Sequence, residues 1–478
     1  MTPEEIQKRL DALPAHSSGH HEPDALSINP AGAETEGGEP ADGDSEGVDA
    51  WYDKEKKEYL LENKRGIYLS LCETAFKRHL KLFGYDCVPP AAGELSDGDR
   101  IILGIQNRKD VAYVGPLCGK KKGFHQIGKV RCLVTESFEL PEPKAGPYPN
   151  IEALILGLLG SDKVHGKNQM AVFHGWMQFA QKALRGGRIQ AAQALAIAGP
   201  PGCGKSLMQT LITFMLGDRS AKPYRYMAGE TPFNGELFGA EHLMLEDEFM
   251  SRRTSERLKL GAAIKNFCVS SHMQSCHCKG RPAINLGAWW RLTITLNDEP
   301  EALRVLPPMD ESIADKFILL RAAPFEFPMP MGSGEDAARF MAACKAETPA
   351  YLDWLLNEFT LPGELCDPTR YGVASWHNPA LRGDLETLSP EAELLALADE
   401  VLWSDYPVPS SWRGTADDLK QKLFADPSIR MQATKLLAYH GSCGTYLGRL
   451  VKKTKPRVYS TRTSQRREYN IIRPCNNA

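Results

Sequence analysis

Residues 199–206, Gly199-Pro200-Pro201-Gly202-Cys203-Gly204-Lys205-Ser206, have the residue types and spacing to cradle a polyphosphate. Glycines let backbone N–H groups turn inward around an anion. Lys205 is placed to reach the β- and γ-phosphates, and the Ser206 hydroxyl to ligate Mg²⁺. Such a loop works only between a strand and a helix, whose positive N-terminal end faces the same anion. Ala194–Ala198 is short and apolar, as a buried parallel strand should be, and Leu207 to Leu216 is helix-forming. The pattern predicts a nucleoside triphosphate, ATP with Mg²⁺, bound at 199–206.

Hydrolysis needs carboxylates on a neighbouring strand. Leu243-Met244-Leu245 runs into Glu246-Asp247-Glu248. Carboxylates at the C-terminal end of such a strand face the ligand crevice of an open α/β sheet. Asp247 is assigned to Mg²⁺ and Glu246 to the attacking water, with Glu248 able to replace either. A third apolar run, Trp290 to Leu296, ends in Asn297. A neutral amide there can sense the γ-phosphate or position water without adding charge.

Lys205 and Asp247 are 42 positions apart, and Asp247 and Asn297 are 50 apart. This compact order resembles the superfamily-3 helicases of small DNA viruses, phages and plasmids, within the AAA+ class. Thr231-Pro232-Phe233-Asn234, the run Arg252 to Arg257, Asn297-Asp298-Glu299-Pro300 and Ala314-Asp315-Lys316 resemble the helicase domain of phage primase-helicases. The likeness is closest to the helicase part of self-priming phage primase-polymerases, and covers about 150–330.

The resemblance implies a head-to-tail homo-oligomeric ring, a hexamer, that pulls single-stranded or forked DNA. It implies a channel hairpin between the acidic strand and Asn297. Residues Ser271 to Pro282 fit that place, with Lys279 as the gripping residue and Lys265, His277 and Arg281 as second choices. It also implies an Arg pair downstream of Asn297, one Arg reaching the neighbour's ATP. Here Asp315-Lys316 stands there. Lys316 is the expected trans-acting cation, with Arg304 and Arg321 as alternatives; a lysine lacks the planar fork of arginine. His272, Cys276, His277 and Cys278 are too tightly spaced for the usual paired zinc ligation.

The elements that must hold these groups divide the chain of 478 residues into several parts. Residues 1–50 read as a disordered acidic tail: Ala15 to Ala50 holds nine acids and no Lys or Arg. Residues 51–145 read as a small α+β domain, strand-like over 100–140, and 146–193 as a helical collar in which Asn150 caps a helix. The AAA+ phosphate-loop core, an α/β parallel sheet, spans 194–330, and a helical extension and connector spans 331–390.

The last part, 391–478, reads as a winged-helix-like DNA-binding domain of helices and two strands. Arg449 to Arg473 carries nine basic residues against Glu468 alone. Arg449, Lys452 and Lys453 are expected to face DNA, with Arg462, Arg466 and Arg467 in the wing.

The composition, 42% hydrophobic and 24% charged, is that of a soluble globular protein. No apolar run approaches a bilayer's width, so no membrane partner is expected. The Met1 end has neither a basic region nor an apolar core, and the twelve cysteines are scattered. A cytoplasmic location in a bacterial host is therefore expected, with a phage or mobile element as a possible source. Residues 51–145 are too few for a primase half, which leaves a separate primase or polymerase as a partner. The expectation is an ATP-dependent DNA helicase. Its alternatives are an ATP switch that loads partners on DNA without unwinding, and a DNA-binding regulator without catalysis.

Overall fold

The computed structural model of the chain describes residues 48–246, 254–268, 273–307, 309, 311–403, 409–462 and 466–474. At its centre is a five-stranded sheet. The order is Phe317–Arg321, Ala194–Ala198, Arg291–Leu296, His242–Glu246, Ser220–Ala221, with every neighbouring pair parallel. The phosphate-loop strand therefore lies inside the sheet, beside the strand that leads into Asn297. The acidic strand is one place further out.

Strand residues alternate between faces, and here both faces are buried. Ala194, Ala196 and Ala198 join Leu243, Leu245, Leu292, Ile294 and Leu296 in one core. Leu195 and Ile197 join Ile318 and Leu320 in the other. The second core is covered by helices Pro149–Gly160, Gly166–Arg185, Lys205–Met215 and Gly334–Asn357. Fully burying each Leu or Ile there stabilises the fold by roughly 1.5–3 kcal/mol.

Helix Pro149–Gly160 starts one residue before the expected Asn150 cap, with Pro149 in its first turn and no side-chain cap from its N-cap residue, Tyr148. A distant acid does that work. The Glu347 carboxylate accepts from the backbone N–H groups of Asn150 (2.9 Å) and Ile151 (3.0 Å), and from the Asn150 side-chain amide (2.5 Å). A negative charge on unpaired N–H groups also suits the helix dipole.

Residues 48–134 form two small sheets. One is mixed, in the order Tyr68–Leu71, Glu58–Glu62, Ala50–Asp53, Asp110–Val111; the other orders Tyr113–Gly115, Val130–Val134, Gly123–Ile127. The strand-like reading of 100–140 fails at its start, because Asp97–Arg108 is a helix. Ser96 and Asp99 form a reciprocal capping box, and Ile102 and Ile105 are buried on one face. The Asp97-Gly98-Asp99 stretch is that helix's first turn. Cys118, Ile127, Cys132 and Val134 pack into the core on the alanine face of the central sheet.

After a single long helix, Gly334–Asn357, comes a short hairpin, Cys366–Asp367 with Gly372–Val373, then helix Pro379–Thr387. The C-terminal part has its own apolar cluster. Helices Pro390–Leu402, Ala416–Ala425, Arg430–Leu436 and Ser442–Lys453 pack with a three-stranded antiparallel sheet. Its order is Ser411–Gly414, Arg467–Ile472, Val458–Arg462. The sequence suggested only two of these strands; Ser411-Trp412-Arg413-Gly414 is short and Gly-ended, too weak a pattern to read alone.

Among the described residues no helix is long and apolar enough to cross a membrane.

Candidate functional site

The loop after strand Ala194–Ala198 turns into helix Lys205–Met215. Gly202 has φ +73° and Gly204 φ +106°, a region that side-chain-bearing residues rarely adopt. Gly199 is needed for a different reason: a Cβ there would lie 2.6 Å from the Ala322 carbonyl oxygen. The loop thus rests on the chain just past the edge strand Phe317–Arg321. Pro200 and Pro201 complete the loop's outer edge, and Ser206 is exposed in the helix's first turn. Burial pushes the Cys203 thiol up, despite the nearby Lys205 charge. Cys203 therefore behaves as a small buried side chain.

The Lys205 ammonium donates to the carbonyls of Gly199 (2.7 Å) and Pro200 (2.8 Å), and to Asn297 Oδ1 (3.2 Å). All three acceptors are neutral, so the lysine's charge is directed into the loop without a carboxylate among them. Asn297 directly follows strand Arg291–Leu296, which pairs with the phosphate-loop strand through Leu296↔Ala198. Two residues 92 positions apart are joined because their strands are neighbours.

Glu246 ends the acidic strand opposite Thr295. Its carboxylate pairs with Lys222 at 2.9 Å. Asp247 and Glu248 lie outside the described residues.

A buried polar ladder ties helix Lys205–Met215 to the acidic strand and to the strand that leads into Asn297. Gln209, one turn after Lys205, donates to Thr293 Oγ1 (2.9 Å) and to the Leu245 carbonyl (3.3 Å), and accepts from Thr295 Oγ1 (3.2 Å). His242 bridges Thr213 Oγ1 (2.7 Å) and Thr293 Oγ1 (2.8 Å). Burial pushes the His242 imidazole down to about 3, so it stays neutral. Sequence reading missed this ladder. Its signal was the pair Thr293 and Thr295, which share one face of an apolar strand, opposite Gln209 on the helix.

The hairpin has antiparallel strands Met273–Cys276 and Ile284–Gly287, in the register Cys276↔Ile284. Lys279 is exposed in the turn, beside Gly280 at φ +76°. His277 and Arg281 are not equivalent to it. His277 is held by Asn234: its N–H donates to Asn234 Oδ1 (2.7 Å), and its carbonyl accepts from the Asn234 N–H (3.1 Å). The Asn234 amide also donates to the Ser275 carbonyl (2.8 Å), and Phe233 meets the His277 ring edge-on at 5.0 Å. Arg281 is 13% exposed and pairs at 2.5 Å with Asp53, itself 2% exposed, in the N-terminal region. Lys265, on helix Thr254–Cys268, is half-buried.

Cys276 and Cys278 bring their sulfurs to 3.9 Å. The Cys276 thiol and the Arg281 charge lower the Cys278 thiol, and the same contact raises the Cys276 thiol. His272 lies outside the described residues. Among the described residues, no group of three His, Cys, Asp or Glu is arranged to hold a metal ion.

The candidate trans-acting cations lie apart. Lys316 is 12% exposed and pairs at 2.6 Å with Asp315, which also takes Arg370 at 2.9 Å. Arg321 ends the edge strand opposite Ala198 and faces Asp298 at 3.6 Å. Arg321, Asp298, Asp162 and Pro200 line an open cleft of about 380 Å³ against the loop. Arg304, after the short helix Pro300–Leu303, is exposed.

In the C-terminal part, Arg449 (3.6 Å) and Lys453 (2.8 Å) converge on buried Glu391. Arg466 pairs with Glu468 at 2.7 Å. Arg467 lies over the Tyr469 ring and donates to Ser460 Oγ. Lys452 and Arg462 are exposed. The basic run is therefore partly committed to its own fold.

No family model matches the chain, and no curated protein matches it. Solved structures do. The A form apo structure of the NrS-1 C-terminal region aligns with a TM-score of 0.50 at 12% identity, over 90% of this chain and 97% of that one. Another apo structure of that region gives 0.49 at 12% identity, over 90% and 96%. Cdc6p from Pyrobaculum aerophilum gives 0.19 at 12% identity, over 67% and 94%. At such identity the first likeness is one of fold. The fold is mixed α/β around a parallel sheet of five strands.

Proposed function

We propose that this chain is an ATP-driven motor on DNA, a helicase or translocase that works as a ring. The observation that carries the ATPase half is the contact of Lys205 with Asn297 at the C-terminal ends of adjacent parallel strands. The glycines at positive φ form a cradle that the β- and γ-phosphates of ATP would fit, with Ser206 and Asp247 as Mg²⁺ ligands. Mg²⁺ would neutralise charge developing on the γ-phosphoryl group. Lys205 would bind and orient the phosphates, and Glu246 and Asn297 would orient water.

Lys316 is held by Asp315, which argues against a role in a neighbour's site. Arg321 stands beside its own phosphate loop and would act within its own subunit.

The DNA half rests on Lys279, exposed at a turn whose flanks are clamped by Asn234 and by the Arg281–Asp53 pair. The test is paired. Lys205→Ala should abolish ATPase and unwinding of a forked duplex. Lys279→Ala should retain basal ATPase and lose strand displacement; wild-type unwinding by that variant removes Lys279 from the role.

The Arg281–Asp53 pair also favours a second reading, an ATP switch that remodels partners without unwinding, because it ties the hairpin to the N-terminal region. DNA-stimulated ATPase with no strand displacement by the wild-type chain would select it.

A further inference from the structure

Where the ATPase core meets the C-terminal helices there is a cavity of about 340 Å³, walled by Arg257, Arg304, Lys435, Glu393, Tyr439 and Tyr446. Its cations come from three separate elements. Arg257 is on helix Thr254–Cys268, Arg304 follows the short helix Pro300–Leu303, and Lys435 is on helix Arg430–Leu436.

Arg257 is the unusual member. It is 7% exposed, and its Nε and one terminal nitrogen donate to a single neutral acceptor, the Leu306 carbonyl, at 3.0 and 2.9 Å. A buried guanidinium has five N–H donors and a full charge, and leaving either uncompensated is costly. Glu393 attracts it, but among the described side chains no carboxylate is ion-paired with Arg257, Arg304 or Lys435. Burial first, then the charge of Arg304, pull the Arg257 guanidinium down to about 10. Two arginines that repel each other, with a lysine on the wall of the same cavity, are what an anion would relieve.

We propose that this cavity is a second anion site, which takes a phosphate group between Arg257, Arg304 and Lys435. A tetrahedral phosphate offers enough acceptor oxygens for both guanidinium forks and the ammonium. Tyr446, 9% exposed, sits on the same wall, and Tyr439 is half exposed. The site is separate from the phosphate loop and does not depend on the ATPase reading. The phosphate comes from a free nucleotide or from a nucleic-acid backbone, and in either case it would bridge the ATPase core and the C-terminal unit.

The experiment uses the full chain carrying Lys205→Ala, so that the phosphate loop contributes little. Pyrophosphate is titrated calorimetrically at physiological salt, and a fluorescent single-stranded oligonucleotide by anisotropy. Lys435 is exposed, so Lys435→Glu should fold, and Arg257→Gln is the second variant. Lys422→Glu makes the same charge change on an exposed side chain outside the cavity. Loss of one charge-assisted contact should weaken pyrophosphate roughly tenfold or more in Lys435→Glu and Arg257→Gln, with Lys422→Glu unchanged. If oligonucleotide affinity holds in Lys435→Glu, the source is a free phosphate. If it falls in parallel and pyrophosphate competes with the strand, the source is a backbone. Pyrophosphate affinity equal in Lys435→Glu and its parent, or absent from the parent, overturns the site.

Discussion

Lys205 Nζ lies 3.2 Å from Asn297 Oδ1, so the phosphate loop and the end of the neighbouring strand share one hydrogen bond. The bond links the charge that would bind the γ-phosphate to the amide that would position water. Asn297→Ala should therefore leave nucleotide binding nearly intact and lower kcat by roughly 10²–10³, the usual loss for one preorganised polar group. Steady-state ATPase with a separate nucleotide-binding titration checks this. Equal losses in binding and turnover would instead mean that Asn297 only shapes the loop.

The hairpin's two cations should separate by assay. Arg281→Gln leaves Asp53 buried without its partner and should cost about 3–5 kcal/mol of stability, read by chemical denaturation. Lys279→Ala is an exposed change and should alter stability by no more than about 0.5 kcal/mol. Its effect belongs in the salt dependence of single-strand binding, which should lose about one phosphate contact.

Asn234→Ala should loosen the same hairpin from below. It removes the acceptor for the His277 N–H and the donor to Ser275, at about 1–3 kcal/mol for each buried group left unmatched. DNA-stimulated ATPase should fall and basal ATPase should hold.

The buried histidines predict acid sensitivity. His242 is pushed down to about 3 and His174 to about 4, each by burial. An unfolded chain protonates both near pH 6.5, so between these values it binds more protons than the folded chain. Stability is therefore full above about pH 6.5 and falls as the pH drops. At pH 5 the loss should be roughly 2 kcal/mol per histidine. Urea titrations at pH 7 and pH 5 check it, and His174→Phe should remove its own share of roughly 2 kcal/mol from the difference.

The phosphate loop was legible because its chemistry is local: glycines, a lysine and a hydroxyl at fixed spacing between a strand and a helix. Asn297 was legible as the end of an apolar run. The partners were not. Asp53 and Arg281 are 228 positions apart, and only the packing of the N-terminal region on the hairpin brings them together. Lys222, which holds Glu246, sits just past an edge strand of two residues. Helix Asp97–Arg108 was misread because Ile101 and Ile102 look strand-like in isolation, whereas the capping box at Ser96 decides the matter. Lys316 looked available in a motif, and its neighbour in sequence, Asp315, holds it.

The acid on helix Gly334–Asn357 that closes the start of helix Pro149–Gly160 has a practical corollary for dissecting the chain. Any fragment ending before Glu347 strips two backbone N–H groups of their acceptor and bares the faces that Tyr351, Leu352 and Leu355 cover. The smallest portion that keeps both faces of the central sheet covered must therefore run from about Tyr113, whose segment packs on the alanine face, to at least Leu385.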